Sequence, residues 1–242
     1  MSPRATKIRL RPAPDDVRRG LLIGVDEVGR GTWAGPVTAC AFAFLEPKDA
    51  ESRGIRKRLD DSKALSPARR KELSDELHEM ATRGAVAFAF GEASCGEVDE
   101  HNVRQATRLA MGRALEGLLG PVAAAYLGGV GADGARIVID GKDGFSFLGM
   151  PRPQYLVRGD SQVPEIMAAS VLAKVHRDAL MEKMDAQLPG YAFSRHKGYG
   201  TALHAGALAK LGPCEQHRKT FAPVAAVMKN KARKAAKAKK KV

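Results

Sequence analysis

Residues 22 to 36 read Leu22-Ile-Gly-Val-Asp-Glu-Val-Gly-Arg-Gly-Thr-Trp-Ala-Gly-Pro36. The apolar run Leu21 to Val25 has the length of a buried strand and is closed by glycines rather than by a helix stop. Two adjacent acids, Asp26 and Glu27, then fall where that strand is still expected to be buried. Buried carboxylates without partners are costly, so a bound cation or a polar cleft is their natural compensation. Neighbouring side chains on a regular strand face opposite ways, so both acids serve one site only if the strand ends or twists there. Gly29 and Gly31 permit such a bend and leave N–H groups around Arg30 open to a close-lying phosphate or sugar.

Two further carboxylates have the same setting. Asp140 follows the apolar strand Ile137-Val-Ile and precedes glycine; Asp160 follows the short strand Tyr155-Leu-Val in Arg158-Gly-Asp160, just before a helix start at Pro164. Each, taken alone, reads equally well as a turn or capping residue. Three strand ends delivering carboxylates to one sheet edge would gather negative charge that only cations can hold, and oxygen-only ligands suit Mg²⁺ or Mn²⁺. Paired ions of this kind activate water and steady a leaving oxygen in phosphodiester hydrolysis.

The motif Gly24-x-Asp26-Glu27-x-Gly29-Arg30-Gly31, with Gly35-Pro36, resembles the signature of the type 2 ribonuclease H family. Thr32 stands where that family usually has proline. Val138-Ile-Asp140-Gly is similar to the family's third acidic motif, and Arg158-Gly-Asp160-Ser with Glu165 to Asp178 to its fourth acid and following helix, although Arg158 replaces the usual lysine. Asp61-Ser62-Lys63 resembles its phosphate-contacting segment, Glu97 to Met111 its helix with Asn102, and His196-Lys197-Gly198-Tyr199 its C-terminal loop. The likeness runs from about Leu21 to Pro223.

It implies a ribonuclease H-like fold, with a mixed five-stranded sheet flanked by helices and a small helical C-terminal part. It also implies Asp26, Glu27, Asp140 and Asp160 as the catalytic metal-binding set for two Mg²⁺ or Mn²⁺ ions. Gly29, Arg30 and Gly31 would then recognise the ribose, Tyr199 the next sugar, and Ser62 and Lys63 the nucleic-acid backbone. The implied substrates are RNA–DNA hybrids and DNA duplexes containing ribonucleotides. Cleavage would fall 5′ of the ribonucleotide, leave 3′-hydroxyl and 5′-phosphate ends, and serve removal of misincorporated ribonucleotides. A monomer is expected; contact with a replication clamp is left open.

The remaining composition agrees. A net charge of +13 points to a polyanionic partner, nucleic acid before anionic membrane. Eight positive charges lie in the tail from Lys229 to Lys241, so the rest carries only a modest excess. Aromatics are 5%, which favours backbone and charge contacts over a stacking platform. Cys40, Cys95 and Cys214 are scattered, as expected in a reducing compartment, and no structural zinc pattern is present. No apolar leader or membrane-length run is evident, so a cytoplasmic protein is expected.

Along the chain, residues 1–19 read as a basic flexible arm, 20–225 as the catalytic domain and 226–242 as a disordered lysine-rich tail. Strands are expected at Leu21–Val25, Val37–Leu45, Ala85–Phe90, Arg136–Ile139 and Tyr155–Val157. Helices are expected from Ser66-Pro67 to about Ala81, over Glu97–Leu119, from Pro164 through Leu180 and over Thr201–Leu211, with loops at 46–62 and 191–199. That order suits an antiparallel part merging into a parallel one. Gly129-Val-Gly131-Ala-Asp-Gly134 matches a dinucleotide-binding pattern but lies between a helix and a strand in the wrong order. Two rival readings stand beside the endonuclease: an exonuclease on the same architecture, and a non-catalytic basic nucleic-acid-binding module.

Overall fold

The computed structural model describes residues 21–46, 49–126 and 135–239. The expected N-terminal arm, the Gly129–Gly134 segment and residues 240–242 lie outside the described residues. Five strands are present: β1 (Leu21–Val28), β2 (Val37–Phe44), β3 (Val86–Ala93), β4 (Ala135–Asp140) and β5 (Gln154–Leu156). They form one sheet in the order β3-β2-β1-β4-β5. β1 pairs antiparallel with β2 and parallel with β4, which pairs parallel with β5. The sheet is therefore mixed, as expected.

Helices α1 (Ala50–Arg56), α2 (Pro67–Thr82) and α3 (Cys95–Tyr126) precede β4. They are followed by α4 (Pro164–Gln187), α5 (Phe193–His196), α6 (Ala202–Leu211) and α7 (Ala222–Lys239). α2 starts as its sequence dictates: Ser66 caps it by accepting from the Arg69 N–H at 3.2 Å, and Pro67 takes the first helical position. α1 lies in the stretch expected to be loop. Asp49 caps it through the Ser52 N–H, and only Ser52 and Ile55 are buried, so its sequence carries almost no apolar period.

The tail expected to be disordered from residue 226 is instead helical as far as Lys239. Its Ala and Lys residues are strong helix formers, and Val224 at its start is fully buried. α3 is interrupted at Asn102, whose φ of 65° and ψ of 161° are non-helical; the Asn102 Oδ1 accepts from the N–H groups of Arg104 and Gln105 and so caps the continuing helix.

The chain divides into two compact units. Among the described residues, one contains Leu21–Val28, Thr38–Glu92 and Arg108–Val175. Its core packs β2, including Phe42 and Phe44, against Ile55, Leu73, Leu77 and Met80 of α1 and α2 and Val171 and Leu172 of α4. Gly24 lies so close to the start of α4 that a Cβ there would stand 2.2 Å from the Glu165 carbonyl carbon, which puts β1 directly against that helix. The other unit contains, among the described residues, Gly29–Val37, Ala93–Thr107 and His176–Lys239. Ala34, Met181, Tyr191 and Phe193 form its buried apolar cluster.

Candidate active site

β1 and β4 run parallel with Val25 opposite Ile139, so Asp26 and Asp140 occupy the next position on adjacent strands. Parallel neighbours in register present their side chains on the same face. The backbone then brings the third acid. Arg158 takes a left-handed conformation (φ 60°, ψ 38°) and is followed by a single 3₁₀ turn, Gly159–Ser161. Asp160 thus sits in the turn between β5 and α4, past the strand end where it was expected. The Asp140 Oδ1 accepts from the Gly159 N–H at 2.7 Å and the Asp160 N–H at 3.4 Å, so one carboxylate fixes the backbone that carries the other.

Glu27 is placed differently. β1 continues through Val28, so the strand does not end at the acids, and Glu27 follows Asp26 within the same extended run. Its N–H donates to the Asp26 Oδ1 at 2.7 Å, folding the Asp26 carboxylate back on its own main chain.

Charge repulsion follows from this geometry. Burial, and then the charges of Glu27 and Asp140, hold the Asp26 carboxyl well above the usual range, against a hydrogen bond from Ser170 and the Glu27 N–H. Burial and the Asp160 charge raise Asp140, partly offset by the two backbone donors and Lys63. Lys63 provides counter-charge: its Nζ lies 3.1 Å from the Asp160 Oδ2. Burial opposes the ammonium, but Asp160, Asp61 and Asp26 outweigh it and raise the Lys63 pKa.

Ser62 and Lys63, read from sequence as backbone contacts, therefore adjoin the acids. The Ser62 Oγ lies 2.8 Å from the Ser170 Oγ, and Ser170 in turn bonds Asp26. Sequence reasoning assigned no role to Ser170, although it lies on the face of α4 turned to this sheet and within the motif already singled out. It also missed Arg56, which holds the buried Glu165 at 2.6 Å and stacks 4.1 Å from the centroid of the Phe44 ring.

In the second unit, two buried arginines hold the loop after β1. Arg177 is 1% and Arg218 0% exposed. Arg218 donates to the carbonyls of Gly29 at 2.7 Å, Arg30 at 2.8 Å and Gly35 at 2.8 Å. Arg177 donates to the carbonyls of Pro36 and Ala34 and to the Thr32 Oγ1 at 3.0 Å. At position 32, where the family usually has proline, the Thr32 hydroxyl donates to the Gly29 carbonyl at 3.0 Å and so ties the loop to itself. Gly29 has φ of +90°, and a Cβ there would meet the Arg177 guanidinium at 2.6 Å, so glycine is required twice over. The same unit carries Tyr199, 42% exposed, on a turn joined to the loop by the Trp33 N–H bond to the Gly198 carbonyl at 2.8 Å.

The Ribonuclease HII family model matches residues 23–224. The chain belongs to the ribonuclease HII family. Ribonuclease HII of Hyphomonas neptunium is 45% identical over 211 residues, 86% of this chain and 97% of that protein. The Thermus thermophilus enzyme is 44% identical over 213 residues, 86% and 90% of the two chains. Among solved structures, ribonuclease H2 of Pyrococcus horikoshii superposes with a TM-score of 0.63 at 19% identity over 87% of this chain and 98% of its own. The Bst-RNase HIII complex with Mn²⁺ gives 0.64 at 19% identity over 87% and 70%. These confirm the ribonuclease H-like fold expected from sequence, and membership of the family makes this chain a ribonuclease H, an endoribonuclease.

Asp26, Asp140 and Asp160 offer only oxygen donors, the kind divalent cations take, and burial and mutual repulsion raise the Asp26 and Asp140 pKa values, a deficit of positive charge that a cation would offset. Among the described residues, no three His, Cys, Asp or Glu side chains already stand at metal-ligand geometry. Among those residues too, no helix is long and apolar enough to cross a membrane.

Proposed function

We propose that this ribonuclease HII cuts the RNA strand of RNA–DNA hybrids and, more characteristically, the phosphodiester on the 5′ side of a ribonucleotide embedded in duplex DNA. Asp26, Asp140 and Asp160 would hold the metal ions together with Glu27, which β1 carries on past Asp26 in the same strand and whose charge acts on the Asp26 carboxyl, with Mg²⁺ or Mn²⁺ the class that an all-oxygen set selects. When bound, two such ions supply an activated water and charge stabilisation at the leaving oxygen. The water oxygen bonds to phosphorus as the bond to the upstream 3′ oxygen breaks, so the products are a 3′-hydroxyl and a 5′-phosphate. The observation that carries this reading is the register of Asp26 beside Asp140, together with the Asp140 bond to the Gly159 N–H that brings Asp160 alongside.

Substrate choice falls to the second unit. The Gly29-Arg30-Gly31 backbone meets the ribose 2′-hydroxyl and the exposed Tyr199 ring packs on the neighbouring deoxyribose. Lys63, with 79% of its side chain exposed, reaches phosphate while remaining next to Asp160, and Ser62 supports that segment. Repair of misincorporated ribonucleotides is the role such a specificity serves, in a cytoplasmic monomer.

The test is a duplex carrying one ribonucleotide, closed as a circle to exclude end-dependent attack, incubated with and without Mg²⁺ or Mn²⁺. Metal-dependent nicking immediately 5′ of the ribonucleotide is expected. Cutting only after linearisation would instead make the enzyme an exonuclease.

A further inference from the structure

Three buried histidines line the base of the Tyr199 turn: His196 is 6% exposed, and His204 and His217 are fully buried. Backbone N–H donors set which ring nitrogens accept, and the Cys214 Sγ also lies 3.0 Å from the His217 Nδ1. The Cys214 N–H donates to the His217 Nδ1 at 3.1 Å, so that nitrogen carries no proton and the His217 Nε2 does. The His217 Nε2–H then donates to the His204 Nε2 at 3.1 Å. His204 must therefore carry its proton on Nδ1, which donates to the Tyr199 carbonyl at 3.0 Å. His196 runs the other way: its Nδ1 accepts from the Gly198 N–H at 3.1 Å, its Nε2–H donates to the Tyr191 carbonyl at 2.8 Å, and its own carbonyl accepts from the Tyr199 N–H at 2.8 Å.

The rings of His196 and His204 stack at 4.2 Å and 11°, and Trp33, whose N–H bonds Gly198, lies 5.2 Å from His204. Burial and the neighbouring rings push His217 down to about 4 and lower His204, so both are neutral near pH 7. A single tautomer at each ring makes the chain directional.

We propose that His204 and His217 are positioning residues for substrate discrimination: a neutral two-ring relay fixing the Tyr199 main chain, and through it the exposed ring that meets the sugar beside the ribonucleotide. The inference rests on the reading of Tyr199 given under Proposed function. It goes beyond that reading in assigning specificity to two groups that never touch the nucleic acid. The Tyr199 turn is held at both its N–H and its carbonyl, the carbonyl being shared by the Thr201 N–H at 2.8 Å and His204. Without the His204 bond the carbonyl loses one of its two donors, and the backbone bearing the ring gains freedom that binding must then remove.

The experiment measures binding by fluorescence anisotropy in excess chelator, so that nothing is cleaved. One duplex carries a single ribonucleotide in DNA; the other is a uniform RNA–DNA hybrid. His204→Phe keeps a ring but removes the donor, and should lower the preference for the single-ribonucleotide duplex about fivefold, on the order of 1 kcal/mol. His204→Gln offers an amide N–H to Tyr199 and an amide oxygen to His217, and should keep the preference within about twofold of the parent. In a Tyr199→Ala background His204→Phe should have no further effect, because the two act in series.

A preference lost equally in the Phe and Gln variants would reduce the relay to packing and overturn the proposal. A preference lowered by Tyr199→Ala but untouched by His204→Phe would overturn it while leaving the Tyr199 reading intact. An unchanged preference in Tyr199→Ala itself would instead remove that reading, and the relay with it. If His204→Phe does not fold, His217→Leu breaks the chain one ring earlier; it should lower the preference in the same direction by a smaller factor, and parental preference there overturns the proposal.

Discussion

Lys63 and Asp160 form an ion pair in which the ammonium, mostly in solvent, lies 3.1 Å from a carboxylate that is almost entirely buried. The lysine thus stands at the acidic cluster as positive charge that a divalent ion would also supply. Its removal has two consequences of opposite sign. Lys63→Met should tighten Mn²⁺ binding several-fold, measured by calorimetric titration, because a like charge next to the site is gone. It should also weaken binding of the nucleic acid. Because the ammonium is mostly in solvent, water screens the pair although its carboxylate is buried; its net contribution is about 1 kcal/mol or less, so folding stability should change little.

Asp26→Asn separates stability from function. Because the Asp26 pKa is raised on folding, the protonated form is favoured in the native state. The resulting stability is complete below the unfolded carboxylate value and is lost as pH rises through the folded one, so ionised Asp26 is destabilising at neutral pH without metal. The neutral amide should raise Tm at pH 7 in chelator and flatten its dependence on pH. Cleavage should fall by at least about 10²-fold, and the stabilisation that Mg²⁺ gives the parent should shrink. Thermal melts across pH with and without Mg²⁺ check the stability outcomes, and nicking of the single-ribonucleotide duplex checks the loss of cleavage.

Thr32, where the family usually has proline, bonds both the Gly29 carbonyl and Arg177. Thr32→Val keeps the shape but strands part of that network, costing about 1 kcal/mol in urea unfolding. Arg177→Met should cost more, on the order of 3 kcal/mol, since several carbonyls lose their donor together. Equal costs would show that the hydroxyl, not the guanidinium, holds the loop.

Acid should unfold the enzyme partly through His217. The unfolded imidazole titrates near 6.5 and the folded one about 4, so between those values the unfolded chain binds more protons and stability rises with pH. The contribution is complete above about 6.5 and is lost as pH falls toward 4, a change on the order of 3 kcal/mol. Urea unfolding at pH 7 and pH 5 should show the loss, and His217→Gln should show less of it.

Much of this protein is written locally. The apolar run at Leu21, the paired acids, the Ser66-Pro67 helix start and the Asp-Gly after Ile139 each report their element through neighbours a few residues away, which is the range over which strand and helix periods act. The sheet and the candidate acids were legible for that reason. α1 and α7 were not, since a short charged helix and a Lys-Ala run carry little apolar period.

Other decisions required the folded chain. Ser62 meets Ser170 across 108 residues, and Arg218 reaches the Gly29 carbonyl across 189. Neither is encoded in spacing: burial strips water from these groups, and each must then find whatever partner the packing brings within hydrogen-bond reach. The sequence determined which carboxylates were available and on which strands they lay. The tertiary structure decided that Asp140 would anchor the Asp160 backbone, that Lys63 would stand beside Asp160, and that a chain of neutral histidines would end on Tyr199.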